Sequence, residues 1–224
     1  MIIEIIPGVW GIEGDSHHVP WIRSAGKLGH DQNALPIILK YIPEGGVVVD
    51  AGAFIGTHCG PYLEKVGPTG QVLAFEPNDE AYQCLFTNCP EAVCCHAALS
   101  DHIGGGMLIQ APDTNYGACC VVPCDGIGTV QLLTLDSLVL KRLSVLKFDL
   151  EGGEYNALIG ARETIARLKP VLVAEVNSSA LATFGKTPSD LLNLIRELGY
   201  ATVRNIYKNQ EMEGPQFDVL CEFD

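Results

Sequence analysis

The sequence predicts an α/β fold, doubly wound, with a mostly parallel sheet. Three observations carry that prediction. Strand-like and helix-like segments alternate from residue 47 to residue 101 at spacings that suit parallel strands joined by crossover helices. The run Val47-Val48-Val49-Asp50 is apolar without alternation up to its closing acid, as in a strand buried on both faces. The same alternation then resumes at Val145 after an interruption rich in glycine and short β-prone runs.

In order, residues 2–6 read as a strand closed by Pro7-Gly8. Residues 14–31 are rich in glycine, histidine and turn formers, and read as a lid-like loop with one helical turn around Val19 to Ser24. Asp31 is positioned to cap a helix carrying Ala34, Leu35, Ile38, Leu39 and Ile42, which Pro43 and Gly45-Gly46 end. Strand 47–51 is followed by a helix from Thr57 to Val66, strand 71–75 by a helix from Asp79 to Asn88 capped by Asn78, and a third strand covers 92–96. Residues 104–135 hold β-prone runs at 107–110, 118–122 and 129–133, with Asp113–Gly117 at a turn, and read as an inserted β-hairpin region, of antiparallel strands or one extended hairpin. Strand 145–150 and the turn Glu151-Gly152-Gly153-Glu154 lead into a helix over 155–168. Strand 171–176 follows, then a helix opened by Pro188 and closed at Gly199. Strands 201–206 and 217–223 read as a final hairpin joined by 207–215. With no repeat and no linker, the expectation is one domain over 1–224: an N-terminal strand, lid and helix (1–46), a ligand-binding half (47–103), the β insertion (104–135) and the rest of the sheet (136–224).

The formal charge of −13, from 14 basic and 27 acidic side chains, would repel a phosphate backbone, and no dense Lys or Arg cluster offsets it; nucleic acid is not expected as a substrate. Nine cysteines without a C-x-x-C pair read as reduced apolar fillers rather than a zinc site, and no metal is expected. Met1–Pro7 lacks the basic start and the length of a signal peptide, and no apolar run reaches bilayer length, so a cytoplasmic protein without membrane association is expected.

Acidic residues fall at the carboxyl ends of successive strands: Asp50, Glu76, Asp101, Asp149 and, near the end of the fifth, Glu175. Ligands of open α/β sheets bind at that edge. A dinucleotide site would use three glycines in G-x-G-x-x-G to approach a pyrophosphate. Here the turn is Asp50-x-Gly52-x-x-x-Gly56, with one glycine missing and an acid where the pyrophosphate would lie. S-adenosylmethionine carries an ammonium, a sulfonium and a ribose diol instead, and Glu76 stands about 20 residues beyond Gly56, where a ribose-binding acid is expected. The turn therefore favours that cofactor over a nicotinamide dinucleotide.

The ordered motifs Val49-Asp-Ala-Gly-Ala-Phe-Ile-Gly56, Val66–Asn78, Ala97-Ala-Leu-Ser-Asp101, Thr134-Leu-Asp-Ser-Leu138, Phe148-Asp-Leu-Glu-Gly-Gly-Glu154 and Glu175-Val-Asn177 resemble the FkbM-type S-adenosylmethionine-dependent methyltransferases. The resemblance implies a Rossmann-like class I methyltransferase sheet of seven strands, the last antiparallel. It also implies methyl transfer, usually to a hydroxyl oxygen, with S-adenosylhomocysteine as product. By it, Asp50, Gly52, Ala53 and Gly56 would line the methionine part of the cofactor, Glu76 the ribose, and Ala98, Leu99, Ser100 and Asp101 the adenine. Phe54 and Pro77 complete the cofactor set, Phe54 standing where many methyltransferases have glycine.

For the reaction, Asp149 and Glu151 are the candidates to bind the cofactor ammonium, take a proton, or hold a metal, against a local turn network as the plain alternative. His58 follows the cofactor turn, and His17, His18 and His30 lie in the lid; His58 and His30 are the histidine candidates for a base. Asn115, with Tyr116, is placed to orient an acceptor. The acceptor is expected to be a small molecule or glycan. The competing readings are a nicotinamide-dependent oxidoreductase and a cofactor-fold module without chemistry.

Overall fold

The computed structural model describes residues 1–29, 33–110, 114–207 and 210–224. The chain begins with an antiparallel pair, β1 (Ile2–Ile6) and β2 (Val9–Ile12), followed by α1 (His18–Ala25) and a short α2 (Leu35–Ile38) that tightens into a 3₁₀ turn. The cofactor-side alternation comprises β3 (Val47–Ala51), α3 (Cys59–Val66), β4 (Gln71–Phe75), α4 (Asp79–Asn88) and β5 (Val93–Cys95). After β6 (Ala98–Leu99), the insertion contributes β7 (Gly104–Gln110), β8 (Cys119–Cys124) and β9 (Val130–Leu133). The second half holds β10 (Val145–Phe148), α5 (Glu154–Ile159), α6 (Arg162–Leu168), β11 (Val171–Asn177), α7 (Ser178–Thr183), α8 (Pro188–Glu197), β12 (Thr202–Asn205) and β13 (Gln216–Glu222).

Seven strands form the main sheet in the order β12-β13-β11-β10-β3-β4-β5. Only β13 runs against its neighbours, inserted between β11 and β12. Strand order reverses between β3 and β10, which pair directly in parallel, so the ligand edge lies beyond their carboxyl ends. Every residue of β3 is buried, because its side chains alternate between two apolar layers. Val49 and Ala51 join Leu146, Phe148 and Ala174 beneath Leu158 and Ile165 of α5 and α6 and Leu194 and Ile195 of α8. Val48 joins Val72, Val145 and Val173 beneath Leu35 and Ile38 of α2 and Tyr62 and Val66 of α3.

Several elements differ from the sequence reading, each for a tertiary reason. Residues 9–12 pair with β1, and the lid-like segment holds two full helical turns with Val19 and Ile22 buried, not one. The helix expected over 155–168 breaks at Gly160. There a Cβ would sit 2.0 Å from the Ser100 carbonyl oxygen, and the Asp136 carboxylate restarts the helix by accepting from the Glu163 and Thr164 N–H groups at 3.1 and 2.7 Å. The three runs of the insertion pair antiparallel as expected, and the unexpected part is β6, which joins them in parallel with β9 to give a four-stranded sheet, β6-β9-β7-β8. Helix α7 was not expected; Asn177 caps it through bonds from Ser179 and Ala180. The expected cap Asp31 lies outside the described residues. Among the described residues, no helix is long and apolar enough to cross a membrane.

Candidate functional site

Gly52 follows β3 with φ of 82°, and a Cβ there would lie 1.8 Å from the Asp149 carbonyl oxygen. Only glycine lets the turns after β3 and β10 close on each other. Phe54, at φ 50°, is a non-glycine residue in the left-handed region. Its N–H donates to Glu76 Oε2 at 2.8 Å, and the Asn78 N–H donates to Glu76 Oε1 at 2.8 Å. The buried Glu76 carboxylate thus ties the first turn to the start of α4, and each oxygen keeps lone pairs for a ligand hydroxyl. Burial pushes its carboxyl up to about 7, against the two backbone hydrogen bonds.

Asp50 on β3 faces Lys147 on β10 in register. Lys147 Nζ lies 3.2 Å from Asp50 Oδ1 and 3.3 Å from Asp149 Oδ2, and Cys59 Sγ donates to Asp50 Oδ2 at 3.5 Å. Burial alone would lower the lysine, but the two carboxylates outweigh it and hold it well above its ordinary value. The turn after β10 is closed by Glu154, whose Oε1 accepts from the Leu150 N–H at 2.7 Å. Glu151 stands at φ 50° within that turn. On β11, Glu175 Oε1 accepts from Gln216 Nε2 at 2.5 Å.

Asp50, Glu76, Lys147, Asp149, Glu151 and Glu175 line a cleft of about 230 Å³ beyond the carboxyl ends of β3 and β10. His58, Lys147, Asp149 and Glu175 also border a second cavity of about 310 Å³, walled by Ala34, Ile38, Phe148, Val173 and Phe217 with Tyr207, Gln216 and Asp218. The N-terminal segment closes over the first cleft. Asp15 accepts from the His17 and His18 N–H groups at 2.9 and 2.5 Å and lies 3.3 Å from His18 Nδ1, while the His18 ring rests on Phe54 at 4.5 Å. Ser16 and Thr114 bond through hydroxyls at 2.8 Å, joining the lid to the insertion.

Of the residues singled out by sequence, the structure gathers Asp50, Gly52, Ala53, Phe54, Glu76, Pro77, Ala98 and Leu99 around this cleft, with His58, Asn115, Asp149 and Glu151. Gly56, Ser100 and Asp101 are not among its lining residues. A Cβ on Gly56 would meet Cys89 Sγ at 2.8 Å, so that glycine packs the turn against α4. Ser100 donates to Asp101, whose carboxylate engages His102 Nδ1 at 2.6 Å on the surface. His30 lies outside the described residues. Sequence reasoning missed Lys147; the signal was a lone lysine inside an apolar strand, a residue type that is buried only when paired.

The cleft is acidic, with five carboxylates against one lysine among its lining residues. Burial pushes Glu151 and Glu154 up to about 7 and Glu175 up to about 9, with Asp149 adding to each. A carboxyl raised in the folded state holds a proton that the unfolded chain has lost. Stability from these groups is full below the ordinary glutamate range and is lost as pH rises towards their folded values, at about 1.4 kcal/mol per pH unit for each proton. The ligand-free protein is therefore expected to melt at a higher temperature near pH 5.5 than near pH 8. A flat profile at constant ionic strength would contradict the buried acids.

Residues 125–202 match the Methyltransferase FkbM domain. The resemblance read from the motifs is borne out by that match. No curated protein matches the sequence. Among solved structures, the chain is similar to the methyltransferase FkbM from Methylobacillus flagellatus, with 18% identity and a TM-score of 0.51 over 80% of this chain and 44% of that one. It thus spans less than half the length of that protein. It is also similar to a TehB-like SAM-dependent methyltransferase from Corynebacterium glutamicum (14% identity, TM-score 0.55, 94% of this chain and 97% of that one). A third similar structure is an rRNA methylase from Streptococcus thermophilus (14% identity, TM-score 0.52, 85% and 93%). At such identities these likenesses speak for the fold, a class I S-adenosylmethionine methyltransferase sheet.

Proposed function

We infer that this chain, an S-adenosylmethionine-dependent methyltransferase by its FkbM domain match, transfers the methyl group to a hydroxyl oxygen of a small molecule or glycan. The observation that carries the reading is that Asp50, the Gly52 turn and Glu76 line one cleft together with Asp149, Glu151 and Glu175. A bound sulfonium and ammonium would lie in a cleft lined by five acidic side chains and one lysine, and a bound cation would itself favour their ionised forms. A dinucleotide pyrophosphate would meet the same charge and be repelled, which argues against nicotinamide chemistry.

In the transfer, the acceptor oxygen attacks the methyl carbon in line with the sulfur. When bound, S-adenosylmethionine would supply the methyl group, the O–C bond forming as the S–C bond breaks and S-adenosylhomocysteine being left as product. The hydroxyl proton passes to a base within reach. Asp149 and Glu151 supply carboxylates for that proton, and Glu151, raised to about 7, is matched to neutral pH. His58 and Asn115 border the same space and are placed to orient the acceptor. The acidic surface and the acidic cleft favour a neutral or cationic acceptor over nucleic acid.

The reading is tested by titrating S-adenosylhomocysteine and a nicotinamide dinucleotide in parallel, then incubating with methyl-labelled S-adenosylmethionine and a panel of alcohols, sugars and amines. Saturable binding of the first ligand only, and label found as a methyl ether, is the expected result. Dinucleotide binding without S-adenosylhomocysteine binding would sink the cofactor assignment. Label recovered on nitrogen alone would sink the hydroxyl assignment.

A further inference from the structure

We propose that Asp149, Glu151 and Glu175 bind a divalent cation at the wall shared by the two cavities, where it holds the acceptor oxygen beside the cofactor. No metal was expected from the sequence, where holding a metal was the least favoured reading of Asp149 and Glu151; Glu175, remote in the chain, is brought to them by the sheet. One carboxylate oxygen from each lies within 4.8 Å of the others. A single ion bound at roughly 2.0–2.6 Å from each oxygen spans such separations.

The second observation is Glu175 itself. Its residue is 9% exposed, and its Oε2 makes no hydrogen bond among the described residues. Buried carboxylate oxygens are nearly always partnered. Gln216 holds Oε1, so the remaining oxygen is fixed in place rather than free to rotate towards another donor. The side chain borders both cavities, and a ligand arriving there is the partner this oxygen lacks.

The supports are rigid. Phe148 pairs with Ala174 in the parallel register of β10 and β11, which brings the next residues, Asp149 and Glu175, side by side. Asp149 is anchored through Oδ2 by Lys147. That lysine is shared with Asp50, so it offsets only part of the charge that three carboxylates would carry together. An all-oxygen donor set selects a hard ion of the magnesium, manganese or calcium class over zinc or copper. The ion's role at the acceptor rests on the methyl-transfer reading and would replace proton acceptance by Asp149 and Glu151, the acidified hydroxyl then losing its proton to solvent; the ion's binding does not rest on that reading.

The full chain is titrated with Mn²⁺ alone, following free Mn²⁺ by electron paramagnetic resonance, with Mg²⁺ and Ca²⁺ as competitors. One saturable site per chain is expected, weakened roughly tenfold or more by Glu175→Gln and by Asp149→Asn. Glu151→Gln, on a partly exposed turn, gives a third variant with little risk to folding, and circular dichroism checks each variant's fold. No saturable uptake into the millimolar range would overturn the site. Uptake unchanged in all three folded variants would overturn it as well, because the ion would then lie elsewhere. Displacement of Mn²⁺ by saturating S-adenosylhomocysteine would assign the carboxylates to the cofactor ammonium instead. Mn²⁺ uptake by a chain that fails to bind S-adenosylhomocysteine would leave the cation site standing and remove the cofactor reading.

Discussion

Glu76→Ala is expected to weaken S-adenosylhomocysteine binding by about a hundredfold or more in a calorimetric titration. In the ligand complex each ribose hydroxyl would donate to a charged carboxylate, and such bonds contribute about 1.5–3 kcal/mol each. Two of them lost, at about 1.4 kcal/mol per tenfold, amount to two orders of magnitude or more. The alanine variant also leaves the Phe54 and Asn78 N–H groups without their acceptor, so the cofactor turn loosens and folding stability falls. Glu76→Gln separates the two effects only in part. Its amide oxygen accepts one of the two backbone N–H groups, while its NH2 faces the other donor, so it keeps some of the stability lost in the alanine variant and leaves one acceptor oxygen for the diol. A folded Ala variant that binds within a few-fold of the parent would remove Glu76 from the ribose site.

Glu76 was legible before any coordinates because its signal is local: an acid closing a strand, at a fixed distance from a glycine turn. Local signals served equally well elsewhere. Asn78 caps α4 by accepting from the Glu80 and Ala81 N–H groups at 3.0 Å each, as its place before an apolar-periodic segment implied. The uninterrupted β-branched run of β3 marked a central strand because both its faces are covered. What stayed hidden depends on partners remote in the chain. The break at Gly160 needs Ser100 against its Cα and Asp136 at the next helix start. The pairing of β6 with β9 joins Ala98–Leu99, ahead of the insertion, to the insertion's last strand. Glu175 reads as an ordinary strand-end acid until the register of β10 and β11 sets it beside Asp149.

Lys147→Met is expected to destabilise the protein by about 3–5 kcal/mol, the cost of stripping one partner from a buried ion pair. At roughly 2–4 °C per kcal/mol for a chain of this size, the melting temperature should drop by about 10 °C. The loss comes from the group left behind. Asp50 is 1% exposed, its Oδ1 has Lys147 as its only charged partner among the described residues, and the Cys59 thiol is a weak donor to the other oxygen. Asp50→Asn should cost less, because Lys147 then retains Asp149 at 3.3 Å. The double variant Asp50→Asn, Lys147→Met removes both charges, and should recover a good part of what the single lysine change costs, since a buried neutral pair of similar volume is often tolerated. A Lys147→Met protein that melts with the parent would mean that water or a counter-ion reaches Asp50. The pair then would not hold β3 to β10 under the cofactor turn. If the expected order holds, the lysine is the tie between the two turns: it joins Asp50 on β3 to Asp149 after β10 and fixes one oxygen of each carboxylate beneath Gly52.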